Sequence, residues 1–151
     1  MPIVQTQVPI TSERVGEYLE ELVRAYPFLR REQLARTENG RPIWAVSVGE
    51  GPRRVLYSAA HHANEWLTAL VLLKFLEDYA EALENEGTIG GVSARGLYQD
   101  ATIFLVPLVD PDGVDLVTGA ATEEEREAAR ALAAGQRSGP PLRFLNPLAC
   151  L

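Results

Sequence analysis

The sequence predicts an α/β domain: three layers, with helices covering both faces of a mixed sheet. Three observations predict it. Two runs, residues 53–59 and 102–109, have the near-continuous apolar middle of strands covered on both faces. Between them, residues 66–83 repeat apolar side chains every three and four positions, the period of a helix with one buried stripe. Ahead of them, Asn39-Gly40 joins two β-leaning runs at hairpin spacing.

Each element follows in order. Ser12 with Glu13 opens an amphipathic helix carried by Val15, Tyr18, Leu19, Leu22 and Val23, which stops before Pro27. Residues 33–37 and 42–48, joined by Glu38-Asn39-Gly40-Arg41, should pair antiparallel. The run 53–59 belongs inside the sheet. In the helix 66–83, Leu67, Leu70, Val71, Phe75, Leu76 and Tyr79 form the buried stripe, and Lys74, Glu77, Asp78 and Glu81 face water. Residues 84–91 hold glycines and charges and read as a surface loop, followed by a short helix over 93–100. The strand 102–109 ends in Asp110-Pro111-Asp112-Gly113, where proline presets φ, aspartate bonds nearby backbone and glycine accepts positive φ, which is turn chemistry. Residues 123–134, rich in Glu, Arg and Ala, form a surface helix with a thin apolar face. Residues 135–151 show neither period and read as an irregular tail.

A chain of 151 residues suits one domain over residues 1–151 and can bury about 70% of the surface its unfolded form exposes. The net charge of −7 and the lack of a basic stripe exclude nucleic acid and anionic membrane as partners. The opening residues have no cationic start and no unbroken apolar stretch, and no run is long enough to span a bilayer, so the expected location is cytoplasmic. The lone Cys150 can form no internal disulfide.

The pattern with the most chemistry is Ala60-His61-His62-Ala63-Asn64-Glu65-Trp66, which places a histidine three residues before a carboxylate where strand gives way to helix. On a helical turn, side chains three apart lie about 5–6 Å apart at Cβ. An imidazole nitrogen and a carboxylate oxygen could then both reach one zinc ion at about 2.0–2.2 Å. The bland alternative is a histidine bonded to a nearby carboxylate for structural reasons. His61 should point to the opposite side of an extended segment and be packed or in a supporting role. Trp66 should pack between helix and sheet, or else shape a pocket. Cys150 would supply a soft ligand only if the tail folded back. Asp110 and Asp112 are explained by backbone bonding in the turn, and Arg126 and Arg130 by pairing with Glu123, Glu124, Glu125 and Glu127 rather than as a carboxylate clamp.

The strings Ala25-Tyr26-Pro27-Phe28-Leu29, Ala59 to Trp66, Lys74-Phe75-Leu76-Glu77-Asp78-Tyr79 and Val106 to Val117 resemble the zinc carboxypeptidases of the M14 type, more closely the bacterial γ-D-glutamyl-L-diamino acid peptidases that trim cell-wall peptides. The resemblance covers residues 10–119. It implies a helix-sandwiched mixed sheet, a zinc cofactor with His62 and Glu65 as its first two ligands, and peptide substrates, among them cell-wall muropeptides with γ-D-glutamyl-diaminopimelate bonds. Members of the family supply a third histidine ligand, an arginine and an asparagine for the substrate carboxylate, and a glutamate base. This chain has only two histidines, and the stretch Leu142 to Leu148 does not match the family's Asn-Arg segment. The resemblance thus reads as the N-terminal part of the family's catalytic domain, shortened at its C-terminus, with weak zinc binding, no identifiable base and little activity alone. Unpaired strand edges would favour self-association. The alternative is a metal-free α/β domain that binds a peptide or partner and keeps His62 and Glu65 as a polar pair.

Overall fold

A computed structural model describes residues 2–136 of the chain. Helix α1 (Ser12–Ala25) is capped by Thr11, whose side chain accepts from the Arg14 N–H at 3.2 Å, rather than by Ser12. Ser12 is turned instead towards Asp115, to which it donates through both its N–H and its hydroxyl. Strands β1 (Arg30–Arg36) and β2 (Pro42–Val48) form the expected antiparallel hairpin, with a register irregularity between Gln33 and Ala35. Strand β3 (Arg53–Ser58) follows, and then a 3-10 turn over Ala63–Glu65 leads directly into α2 (Trp66–Glu84). The stretch expected as a plain loop contains a small hairpin of β4 (Thr88–Ile89) and β5 (Val92–Ser93). Helix α3 (Ala94–Asp100), capped by Ser93, leads into β6 (Ala101–Val106). Two helices close the described chain, α4 (Pro111–Thr118) and α5 (Glu123–Gln136).

The main sheet runs β1-β2-β6-β3. It is mixed, since β6 is antiparallel to β2 and parallel to β3, with Val46 opposite Leu105 and Val55 opposite Ile103. Parallel neighbours need a crossover, and α2 with α3 supplies it. The α/β class and the mixed sheet are as expected. Gly49, at φ +106, lets the link from β2 to β3 press on β6, because a Cβ there would lie 2.0 Å from the Ala101 carbonyl oxygen. The core joins Leu19 and Leu22 of α1, Leu70, Leu73, Leu76 and Tyr79 of α2, and Ile103 and Leu105 of β6.

Three expectations are corrected. Of the two apolar strands, β6 lies inside the sheet as expected and β3 does not. β3 is the edge of the sheet among the described residues, with Leu56 and Tyr57 64% and 46% exposed. An apolar run shows that a segment is β-competent but not which neighbour lies beside it. The buried face of α2 is only partly as expected: Leu70, Leu76 and Tyr79 are inside, but so are Ala69, Leu73, Ala80 and Glu77, whereas Leu67 and Val71 are exposed. The first two-thirds of this helix is apolar nearly all round, so periodicity alone cannot select a face. Glu77 tolerates burial because it accepts from the N–H groups of Ile3 and Val4 and from Lys74. Finally, residues 110–113 are not a free turn. Asp110 is the N-cap of α4 and Pro111 takes a first-turn position, where its missing N–H costs nothing.

Candidate metal centre

The segment that leaves β3 is fastened to the segment that leaves β6. The Ala59 N–H donates to the Val106 carbonyl at 3.0 Å, Val109 N–H to Ala59 at 3.1 Å and Asp110 N–H to Ala60 at 2.9 Å. Ala60 is buried and adopts φ 50, a left-handed conformation that an alanine rarely takes. Its N–H donates to the Thr68 hydroxyl at 2.9 Å, which in turn donates to the Glu65 carbonyl at 2.7 Å. The chain after β3 is therefore bent sharply and tied back to the first turn of α2.

This bend presents the two expected side chains. His62 is extended, at φ −126 and ψ 151, and the turn closes with the Glu65 N–H donating to the His62 carbonyl at 3.0 Å. His62 Nδ1 lies 2.9 Å from Glu65 Oε1, and the two side chains are 66% and 43% exposed. The hydrogen bond from His62 holds the Glu65 carboxyl below the ordinary glutamate range. The donor set, one imidazole and one carboxylate converging on open solvent beyond a strand's C-terminal end, fits two ligand positions of a zinc site. The proton the pair shares must leave before both atoms can donate to a cation. Among the described residues, no group of three His, Cys, Asp or Glu side chains is placed to hold one ion.

The neighbouring candidates sort differently. His61 is not packed: it is exposed, with Nε2 2.9 Å from the Ser58 hydroxyl. Trp66 is half-buried against the core, as expected. Arg126 and Arg130 both bond Glu123, at 3.2 and 2.9 Å, and Arg126 also reaches the Gly119 carbonyl. Asp110 does bond backbone, accepting from the Gly113 N–H at 2.9 Å. Asp112 does not, because its carboxylate accepts from the Thr37 hydroxyl and from Arg41, each at 2.9 Å. Cys150 and residues 137–151 lie outside the described residues, while 135 and 136, assigned to an irregular tail, end helix α5.

A second cluster, which the sequence reading missed, centres on Arg41 in the hairpin loop. Its guanidinium donates to Asp115 at 2.6 Å, to Asp112 at 2.9 Å and to both oxygens of Glu125 at 2.6 and 2.9 Å. These contacts raise the Arg41 pKa and hold the Glu125 carboxyl down at about 2. No local pattern signals the cluster, since its partners come from a loop and two helices far apart in sequence. Gly113 then brings α4 against the turn that carries His62 and Glu65: a Cβ there would lie 3.0 Å from the Ala63 Cβ and 2.1 Å from Asp110 Oδ2, so a larger residue would force the Asp110 carboxylate to move.

The zinc carboxypeptidase model of peptidase family M14 matches residues 15–137. A γ-D-glutamyl-L-diamino acid endopeptidase of Lysinibacillus sphaericus is 43% identical over 99 residues, covering 66% of this chain and 25% of that protein. Among solved structures, a metallo-carboxypeptidase from Burkholderia cenocepacia aligns at a TM-score of 0.55 and 28% identity, covering 70% of this chain and 28% of that one. Bovine thrombin-activatable fibrinolysis inhibitor shares the fold at a TM-score of 0.62 and 15% identity, over 74% of this chain and 34% of its own. The chain thus spans about a quarter of the length of the curated relatives it matches. With the family model matching most of its length, the chain belongs to the M14 zinc carboxypeptidases.

Proposed function

We propose that His62 and Glu65 are zinc ligands of a peptide-hydrolysing site, and that the substrates are peptides carrying a γ-D-glutamyl-diamino acid bond, such as the diaminopimelate-containing peptides of bacterial cell walls. The reading is carried by one observation: an imidazole nitrogen and a carboxylate oxygen, 2.9 Å apart and open to solvent, stand just beyond β3 in a chain of this family. The substrate class is supported by the name of the Lysinibacillus relative. When bound, zinc lowers the pKa of a coordinated water and polarises a carbonyl. Glu65, whose carboxyl the His62 hydrogen bond holds below the ordinary glutamate range, would bring negative charge to the metal. His62 would bring an imidazole lone pair.

Catalytic zinc sites use three protein ligands and an open position, and this sequence has no third histidine. The 151-residue chain alone should therefore turn over negligible substrate even with zinc added. Assays with γ-D-glutamyl-diaminopimelate peptides and with simple C-terminal-residue peptides, each with a chelator control, test this. Zinc-dependent hydrolysis that disappears in Glu65→Ala would show that a further ligand and a base are present after all.

A second reading, a metal-free domain that binds a peptide or a partner, here a second copy, draws on β3, the edge of the sheet among the described residues, and on the exposed Leu56, Tyr57, Leu67 and Val71. No helix among the described residues is long and apolar enough to cross a membrane. Sedimentation of the wild type against Tyr57→Lys and Val71→Lys tests it. Self-association that the lysines abolish, with no zinc bound by the wild type, would favour this reading.

A further inference from the structure

We infer that Arg41 is a positioning residue for the His62–Glu65 pair: by clamping α4 it holds that helix's N-terminus against the 3-10 turn that sets the two donors' separation. The inference rests on the metal reading above only for its consequence for zinc. Its structural part stands on four observations.

The turn has little of its own to keep it in place. Its own bonds are few: the Glu65 N–H donates to the His62 carbonyl, the two exposed side chains share one hydrogen bond, and the Thr68 hydroxyl ties the Glu65 carbonyl to α2. Further support comes from below. Ala63 packs against Gly113, where an added Cβ would lie 3.0 Å from the Ala63 Cβ, and the Asp110 N–H and carboxylate link the end of β6 to Ala60 on one side and to the first turn of α4 on the other. The position of α4 is in turn set through Asp112 and Asp115, and both carboxylates are bound by one guanidinium. That guanidinium is anchored independently, because Glu125 of α5 grips it through both oxygens and Asp115 is gripped from behind by Ser12 of α1.

The chain of contact is therefore Arg41 to Asp112 and Asp115, through α4 to Gly113 and Asp110, and from there to Ala60, Ala63 and the donor pair. A planar fork that bonds three carboxylates in fixed directions is specific to arginine. A lysine would keep the charge and lose the geometry. Groups that orient metal ligands without touching the metal commonly change its affinity by about 10–100-fold, and Arg41 would act in this way at a further remove.

The test compares the full-length wild type with Arg41→Met and with Lys74→Met. Lys74 makes an ion cluster elsewhere, bonding the buried Glu77 and the exposed Asp78 on α2. Amide hydrogen exchange is measured first on metal-free protein at a temperature where all three are folded, and zinc affinity by calorimetry second. The expected result for Arg41→Met is faster exchange confined to the Glu65, Val109 and Asp110 amides, by about tenfold or more. Zinc affinity should fall by about tenfold, with Lys74→Met sparing both and Arg41→Lys recovering neither fully. If Arg41→Met does not fold, Glu125→Gln loosens the same guanidinium more gently and is read by the same two measurements. Exchange that rises evenly over the whole chain, or equally at these amides in Lys74→Met, would overturn the inference by reducing Arg41 to general stability. A wild type that binds no zinc while the selective exchange persists would sink the metal reading and leave the positioning role standing.

Discussion

Two polar clusters meet at helix α4, and they are built in opposite ways. His62 and Glu65 share one hydrogen bond with side chains 66% and 43% exposed, whereas the Arg41 side chain is 14% exposed and meets three carboxylates. The first cluster leaves lone pairs free and the second has spent nearly all of its hydrogen-bonding capacity. That difference separates chemistry from architecture. An exposed pair contributes little to stability because water competes for both partners, and for the same reason it can exchange its proton for a cation. In the enclosed cluster, removing Arg41 or Asp115 strands a charge away from water.

The contrast is sharpest if function and stability respond in reverse. The largest effect should be on metal binding: two protein ligands in place of three should weaken zinc by about three decades, roughly 4 kcal/mol. His62→Ala or Glu65→Ala should then remove the remainder while His61→Ala largely spares it. Titration calorimetry reads all three, and an equal loss from His61→Ala would mean the wrong histidine has been chosen. The next largest effect should be on folding. Asp115→Asn breaks a nearly buried partner of Arg41 and should cost about 3 kcal/mol in urea unfolding, while His62→Ala should cost well under 1 kcal/mol. Similar losses from the two would erase the distinction between the clusters.

How much of this was legible in the sequence follows the same division. The His62–Glu65 pair could be read because its chemistry depends on spacing within one short segment, and the hairpin could be read because Asn39-Gly40 is local turn chemistry. The Arg41 cluster could not, because Thr37, Arg41, Asp112, Asp115 and Glu125 meet only after three connections have closed, and charged residues scattered on loops and helices otherwise read as solvated surface. Asp115 in particular looks like any polar position in Val114-Asp115-Leu116, yet it is buried. The assignment of β3 to the interior failed for a related reason: composition reports the tendency to be covered, and only the pairing of β6 between β2 and β3 decides which strand is.

Acid should act on the second cluster before it disturbs the sheet. Glu125 has its carboxyl lowered from 4.5 to about 2 by Arg41. A lowered folded-state pKa contributes stability that is fully present above the unfolded value and is lost as pH falls through the folded one. Stability should therefore decline between about pH 4.5 and pH 2, and Glu125→Gln should flatten that decline without altering the plateau's shape near neutrality. An acid limb that is unchanged in Glu125→Gln would place the titrating groups elsewhere.

The smallest effect concerns the backbone beneath the exposed pair. Ala60 holds φ 50, where an L-residue costs about 1–2 kcal/mol relative to a right-handed conformation. Ala60→Gly would relieve that strain. It would also give the unfolded chain more freedom to lose, about 0.5–1 kcal/mol, and remove a buried methyl worth about 0.8 kcal/mol. These terms nearly cancel, so the urea midpoint should move by less than about 0.5 kcal/mol equivalent. Zinc affinity is the more telling measurement. The Ala60 N–H, through Thr68, ties the bend to the carbonyl of Glu65. A glycine free to leave the left-handed region would loosen that tie, so affinity should fall by a few-fold although stability is unchanged. If affinity holds while stability rises by about 1 kcal/mol or more, the strain is uncompensated and the bend does not help to present the donors. The exposed pair would then rely on α4 alone for its geometry, and the coupling between the two clusters would be all the stronger.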